Sequence, residues 1–417
     1  MTIMVDRHFR IRDTCRACDS ARLDRVLPLK PLPLVSPNLQ TDDERAAKVE
    51  VPADLYLCAE CGLLQLTAVI DPSFQYNQFK YVTTISLGLP EHFRRSAGDI
   101  LAAAQSAESG RVLEIGSNDG TLLAAFQERG WKVQGIDPAR GAVEQAIERG
   151  IPTIRGFFEP ISARDIRNAG GSFDLVIANN TLANIDDLAS VAEGLNTVLA
   201  PDGVFVFETS YGSDVVLKTL LDTIYHEHLS YFMVRPLASF FARHGLELFD
   251  VSRIGTKGGS IRGYVQHRGG TRTVKESVAR MAAEEEAIGL YSRPAYDRMG
   301  HGLERIRTDL AGQLVQDHTR GKGIAAWGAS VGCVTLINQL DLALRLSCVF
   351  DDQPLLDAIE GPGYRIPVVS PVEIDHNDPG VIVLLAWRYA EPIMGKLRPF
   401  CERGGRVVVP LPEVRQL

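Results

Sequence analysis

The chain lacks any long apolar run. No stretch of about 18 apolar residues occurs in its 417, so no membrane-spanning helix is expected. The N-terminus also lacks the apolar core of a secretory signal, and a cytoplasmic location follows as the expectation. Positive charge is in deficit: 44 Lys and Arg against 52 Asp and Glu leave a net charge of −8. That balance does not suit a protein that holds nucleic acid through its phosphates. Cysteine is scarce, seven in all, yet four fall in two CxxC pairs, Cys15/Cys18 and Cys58/Cys61, while Cys333, Cys348 and Cys401 stand alone. In a cytosolic chain of this size such pairs point to metal or redox chemistry, not to a disulfide framework. What is present is ordinary globular composition, 45% hydrophobic and 23% charged, with length for two or three domains.

Residues 1–75 form the first unit. Each CxxC turns two thiolates toward one point, and two of them supply four soft ligands in the geometry that Zn²⁺ prefers. Four sulfurs leave no open position, so Cys15, Cys18, Cys58 and Cys61 are expected to hold a structural zinc. The competing reading is a pair of redox motifs, but the helix-opening context of a thioredoxin-like site is absent. A unit this small needs such a staple.

The second unit, 76–270, is organised around Arg111 to Leu123, RVLEIGSNDGTLL. Val112, Leu113 and Ile115 suit a buried parallel strand. Gly116 and Gly120 follow, then an amphipathic helix pattern from Thr121 to Arg129. The next strand, Lys132 to Ile136, ends at Asp137, a carboxylate placed to suit ribose hydroxyls. The spacing is E-x-G-x-x-x-G, not the GxGxxG of dehydrogenases. It resembles the adenosylmethionine loop of class I methyltransferases. Phe173 to Ala178 reads as the fourth strand, with Asn179 and Asn180 at the carboxyl end where ligands bind in open α/β sheets. Gly203 to Glu208 reads as the fifth. Helices are expected over Glu91–Ala107, Arg140–Arg149 and Asp186–Leu199. Glu247–Arg253 and Ser260–His267 read as a closing strand pair. Glu114, Gly116, Asn118, Asp119, Gly120, Asp137, Pro138, Asn179 and Asn180 are the candidate donor-site residues.

Between the fifth strand and that pair lies an insertion, Thr209 to Gly245, containing YHEHLSYF from Tyr225 to Phe232. Titratable groups this dense, after the end of a central strand, make a candidate active site. A metal at His226 and His228, or a polar surface turn, are the other readings. Residues 271–319 are charged and helical, a connector. Residues 320–417 read as a second Rossmann-like unit with its own glycine turn, Trp327 to Gly332. That turn either holds a nucleotide diphosphate or packs a helix on a strand.

Taken together, the two CxxC pairs, EIGSNDGTLL, YHEH, KGGSIRGYV, WGAS, DDQP and AWRYA occur in one order. The chain resembles the three-domain C-methyltransferases that act on nucleotide-linked deoxysugars. The resemblance covers nearly all of it. It implies an α/β protein with a small zinc-binding N-terminal domain, a central adenosylmethionine domain of the class I type, and a C-terminal Rossmann-like domain that helps hold the nucleotide of the acceptor. It implies that His228 is a general base, with Tyr225, Glu227 and Tyr81 beside it. Trp327, Ser330, Asp352, Trp387, Arg388 and Tyr389 are the candidate acceptor-binding residues of the third unit. The chain departs from the family pattern at Asn184 and Lys257, where many members carry histidine, and at Gly332-Cys333. These departures fall on the acceptor side.

The expected chemistry is C-methylation next to a ketone, His228 removing the α-proton, Glu227 orienting its ring, and Tyr225, Tyr81 or Lys257 stabilising the enolate oxygen. Methylation at oxygen or nitrogen of a small metabolite is the runner-up. A zinc-ribbon scaffold with vestigial Rossmann units is a third reading, and the acidic balance argues against a nucleic-acid methyltransferase. The expected partner is a small molecule, with neither nucleic acid nor membrane.

Overall fold

The computed structural model describes residues 3–6, 8–34, 49–77, 79–85, 88–104, 109–319, 322–353 and 356–417. The apolar run at Val112–Ile115 becomes Arg111–Ile115, a central strand of a seven-stranded sheet. Its side chains alternate between two apolar layers. Val112 packs with Leu122, Phe126 and Leu175 on one face, and Leu113 with Val176 and Phe205 on the other. Side by side, the strands run Thr153–Arg155, Lys132–Asp137, Arg111–Ile115, Phe173–Asn179, Leu199–Ser210, Ser260–His267 and Leu246–Ile254. The first five are parallel, and Ser260–His267 runs antiparallel between its two neighbours. The sequence pattern placed these strands within a few residues of their observed ends.

Two helix boundaries moved for identifiable reasons. The first helix spans Leu89–Ala103, and residues 105–107 of the expected helix lie outside the described residues. The helix expected from Asp186 begins at Leu188, because the Asp187 carboxylate caps it by accepting from Ser190 N at 3.0 Å. Asp186 is thereby left outside the helix.

The N-terminal unit is built from short strands. Leu23–Leu27, Leu55–Cys58 and Leu64–Leu66 form a sheet whose fourth strand, Ser230–Tyr231, comes from the insertion of the central unit. The insertion also carries helices Gly212–Leu217 and Val234–Arg243. In the C-terminal unit a second seven-stranded sheet runs Ala358–Gly361, Tyr364–Val369, Leu346–Phe350, Gly323–Trp327, Pro379–Leu384, Arg406–Val409 and Arg415–Gln416. The hairpin at its edge and its last strand were not read from the sequence.

The expected connector is more than a spacer. Helix Arg293–Thr319 contributes Tyr296, Met299 and Leu303 to one apolar core. That core also takes Leu57 and Leu64 from the N-terminal unit, Leu221 and Ile224 from the insertion, and Leu336 and Val381 from the C-terminal unit. Separating the units would expose it to water.

Candidate active site

A cleft of about 1590 Å³ opens where the three units meet. The carboxyl ends of the central strands supply its floor, which is where the sequence placed the donor site. Gly116, with φ +69°, turns the chain away from the first strand, and a Cβ there would meet Thr181 Oγ1 at 2.3 Å. Asp137, 6% exposed, accepts from Asn118 N at 2.9 Å and Ala139 N at 2.8 Å. Burial pushes its carboxyl up to about 6, against the pull of those two amides. Glu114 is also raised well above the usual range, first by burial and then by Asp137 and Asp119. Glu114 Oε2, Ser117 Oγ and Asn179 Nδ2 are buried and find no hydrogen-bond partner among the described residues. Buried polar atoms are ordinarily paired. All three residues line the cleft, as do Pro138 and Asn180. An unpaired donor beside unpaired acceptors suits adenosylmethionine, which offers hydroxyls, an ammonium and a carboxylate.

Two expected donor-site residues do not line the cleft. Asp119 is fully buried, accepting from Thr84 N at 3.0 Å, Thr84 Oγ1 at 2.9 Å and Thr121 Oγ1 at 2.6 Å. It caps the following helix and pins the Thr84 segment, so it does not line the cleft. Gly120 is likewise structural, since a Cβ there would press on Ile151. Asn118 lines the cleft, but its side-chain amide holds the neighbouring segment, accepting from Thr83 N at 2.8 Å and donating to the Tyr81 carbonyl at 3.0 Å. That bond brings Tyr81 to the cleft wall.

Across the cleft stands the YHEH segment, not a surface turn: His226, Glu227 and His228 are buried and Tyr225 is half-buried. His228 Nδ1 donates to the Thr223 carbonyl at 2.9 Å. Nε2 therefore carries the lone pair in the neutral ring, and it accepts from the Tyr225 hydroxyl at 3.1 Å. Burial lowers the His228 pKa to about 4, with the charge of Lys257 acting the same way. The ring is a neutral proton acceptor at ordinary pH. The expected orienting role of Glu227 needs correction: Thr223 O and Tyr225 occupy the two ring nitrogens. Glu227 lines the same cleft, where its charge acts on Tyr225 and Lys257. Burial holds the Tyr225 phenol well above its usual range, so it stays a donor. His226 turns away, its Nε2 donating to the Pro52 carbonyl at 3.0 Å. The two histidines do not converge on a metal.

Lys257 reaches the cleft from a turn of three left-handed residues, itself (φ +52°), Gly258 and Gly259. A Cβ at Gly259 would strike the Asp214 carboxylate at 2.2 Å. The surrounding protein lowers the Lys257 ammonium, opposed by the charges of Glu208 and Glu227. Sequence reasoning missed Glu208. It lies near the end of the fifth strand, opposite Arg262, accepts from Arg262 at 2.7 Å and from Thr256 at 3.0 Å, and sits 3.2 Å from His92. Burial opposes its ionisation, but His92 and Arg262 outweigh that and take it to about 2. The cross-strand pairing is invisible until the register is known. Asn184 lines the same cleft, and its Oδ1 has no partner among the described residues.

The C-terminal wall of the cleft is less open than expected. Trp387 Nε1 donates to Asp222 Oδ2 at 2.9 Å, and Arg388 pairs with the same carboxylate, 3.0 Å from Oδ1. Asp351 takes the Ala329 amide at 2.8 Å. Ser330 donates to Cys333 Sγ at 3.2 Å, and Asp352 pairs with Lys396 at 2.7 Å. All of these residues line the cleft with Trp327 and Tyr389, but the polar ends of Trp387 and Arg388 serve first to latch two units together.

Away from the cleft, the sulfurs of Cys15, Cys18, Cys58 and Cys61 lie within 4.8 Å of one another. Cys15–Cys61 and Cys18–Cys58 are each 3.5 Å apart, near the sulfur spacing of a tetrahedral zinc site and too long for disulfides. All four thiolates fit Zn²⁺, with no open coordination position.

Three family models match in succession: a putative zinc binding domain at residues 15–76, a methyltransferase domain at 91–251, and a C-methyltransferase C-terminal domain at 255–412. The C-methyltransferase NovU of Streptomyces niveus is 31% identical over 406 residues, 97% of this chain and 96% of that one. The chain belongs to this three-domain C-methyltransferase family. It is an adenosylmethionine-dependent methyltransferase with a zinc-binding domain. A ubiquinone biosynthesis O-methyltransferase from Colwellia psychrerythraea is 27% identical, but over 34% of this chain and 63% of its own length. Among solved structures, an S-adenosylmethionine-dependent methyltransferase from Clostridium acetobutylicum is similar over 43% of this chain and 92% of that one, with TM-score 0.35 and 11% identity. No helix among the described residues is long and apolar enough to cross a membrane.

Proposed function

We propose that this methyltransferase alkylates a carbon next to a ketone, on a nucleotide-linked keto-deoxysugar, with His228 as general base. The observation that carries the proposal is a single cleft with two kinds of lining. One end has unpaired polar atoms on Glu114, Ser117 and Asn179; the other has a neutral imidazole with its lone pair on Nε2. Adenosylmethionine supplies an electrophilic methyl group on a sulfonium. Asp137 and Asn179 orient the donor, and Asn184 and Lys257 contact the acceptor.

At rest the Tyr225 hydroxyl covers His228 Nε2. An entering acceptor displaces that hydroxyl, and Nε2 takes the proton from the α-carbon. The C–H electron pair moves into the ring of the sugar as an enolate, whose oxygen accepts from Tyr225 and faces the Lys257 ammonium. The carbon then forms its bond to the methyl group, and adenosylhomocysteine leaves with the sulfur electron pair. Base catalysis of this kind is worth roughly 10²–10⁴-fold. The Thr223 carbonyl keeps Nδ1 protonated, which fixes the tautomer throughout. Trp327, Ser330, Asp352 and Tyr389 hold the nucleotide end.

His228→Asn tests the base role. Adenosylmethionine affinity should persist in calorimetry while turnover falls by roughly 10²–10⁴-fold. Unchanged turnover would remove His228 from the scheme. NMR of the product then separates a methyl on carbon from one on oxygen.

A further inference from the structure

The zinc knuckle carries a side chain that the chemistry above leaves unused. Arg16 sits between Cys15 and Cys18, yet its side chain is 0% exposed. Its Nε donates to Asp186 Oδ1 at 2.8 Å. One terminal nitrogen donates to the Leu66 carbonyl and, at 3.3 Å, to the Leu229 carbonyl. These acceptors belong to three segments. Asp186 follows Asn184 by two residues on the acceptor side. Leu229 is the residue after His228. Leu66 lies in the zinc-domain strand with which Ser230–Tyr231 pairs. The Arg16 amide also donates to Gln65 Oε1 at 3.0 Å, tying the knuckle itself to that strand. Leu229 N completes the bracket by donating to the Ala183 carbonyl at 2.8 Å.

We infer that Arg16 is a positioning residue: it fixes the distance between the base segment, Tyr225–Leu229, and the acceptor loop, Ala183–Asp186. Cys15 and Cys18, on either side of Arg16, would fix the knuckle around it when the four thiolates hold Zn²⁺. The planar guanidinium fork suits the task, because it spans several acceptors at set angles where an ammonium cannot. Losing it does not strand Asp186, which Arg10 and Arg12 also reach, the latter at 3.4 Å. The cost therefore falls on geometry. The word "base" here rests on the proposed role of His228; the positioning does not.

Full-length, zinc-loaded Arg16→Met and Arg16→Lys provide the test. Both should keep one zinc per chain and the wild-type affinity for adenosylmethionine in calorimetry. Turnover should fall by about 10²-fold in Arg16→Met and by less in Arg16→Lys, mostly in kcat and not KM. The NMR titration of the His228 ring, assigned by its absence in His228→Asn, should move in both. If Arg16→Met loses zinc or does not fold, Arg16→Lys decides, since it keeps a buried charge beside Asp186. A kcat within about twofold of wild type in a folded variant, with an unmoved His228 titration, overturns the inference. An active His228→Asn with a displaced ring in the Arg16 variants would instead sink the base role and leave the positioning standing.

Discussion

The protein contains two glycine turns of the same grammar, and their neighbours are bonded differently. Gly116 and Gly328 each follow a parallel strand, each precede a helix, and each hold a positive φ, +69° and +110°. Around Gly116 the neighbouring polar atoms are left open to the cleft: Glu114 Oε2, Ser117 Oγ and Asn179 Nδ2. Around Gly328 polar groups turn inward. Ala329 N is taken by Asp351, Ser330 by Cys333, and a Cβ at Gly332 would strike the Asp222 carbonyl at 2.3 Å. Asp222 of another unit thus abuts the following helix at Gly332, and the Ala329 amide is already taken by Asp351. Packing accounts for Gly332 and Ala329, while Ser330, Val331 and Gly332 still line the cleft. A glycine turn becomes a ligand site through what its neighbours leave unsatisfied, and glycine spacing alone does not report that.

The largest effect that sharpens this contrast comes from adding one methyl group to each turn. In Gly116→Ala the new Cβ meets Thr181 Oγ1 at 2.3 Å beside the proposed donor pocket. In Gly328→Ala it meets Ala386 Cβ at 2.8 Å and Cys333 Sγ at 2.9 Å. Both carry backbone strain on the order of 1–3 kcal/mol. We expect Gly116→Ala to lose adenosylmethionine affinity by about 10²-fold or more, a misplacement on the floor of the pocket. Gly328→Ala should lower thermal stability and leave that affinity unchanged. Equal losses of affinity in calorimetry would erase the contrast.

The sequence displayed one half of this comparison better than the other. Central strands, the acid at position 137 and the four cysteines were legible because each depends on local periodicity or spacing. The YHEH segment stood out as a density of titratable groups. What stayed hidden depends on contacts between distant residues. Nothing local in the sequence marks Asp222, which Trp387 and Arg388 meet from 165 and 166 residues away. Nothing in the sequence marks Arg16, between Cys15 and Cys18, for the burial the fold gives it. Ser230–Tyr231 gives no sign that it will join the sheet of the zinc-binding unit. The family resemblance places Glu227 beside His228 as its orienting group, whereas a backbone carbonyl five residues earlier in the chain, at Thr223, takes the ring N–H.

A second, smaller effect concerns pH and belongs to the first turn alone. In the ligand-free protein Asp137 is raised from 3.8 to about 6, so between those values the fold favours its protonated form. Its contribution to stability is thus present below pH 3.8 and lost as pH rises through about 6. A ribose bonded to the carboxylate favours the ionised form. Adenosylmethionine affinity should accordingly weaken as pH falls below about 6, by up to tenfold per unit. Binding near pH 6 should release protons, seen as a dependence of the heat on buffer. His228, lowered to about 4, is neutral throughout this range and adds no step there. Asp137→Asn should abolish the pH dependence along with part of the affinity. Its persistence in that variant would assign the step to another group.

The smallest effect is expected at the second turn. Asp351 uses both oxygens internally, Oδ2 for Ala329 N at 2.8 Å and Oδ1 for Gln353 N at 2.9 Å. Asp351→Asn keeps the shape but offers one oxygen in place of two, so one of those amides loses its acceptor. The cost should be about 1 kcal/mol, that of a single lost bond. Adenosylmethionine affinity should be untouched, because Asp351 lies in the other unit. The acceptor provides the discriminating measurement. If the Ala329 amide serves packing, KM for the acceptor stays near wild type, since the ligand never used it. If a phosphate displaces Asp351 during the catalytic cycle, weakening this bond frees the amide and KM falls. A lower KM in Asp351→Asn would mean that the second turn is a ligand site held closed by its own carboxylate, and the contrast between the two turns would become one of occupancy, not of kind.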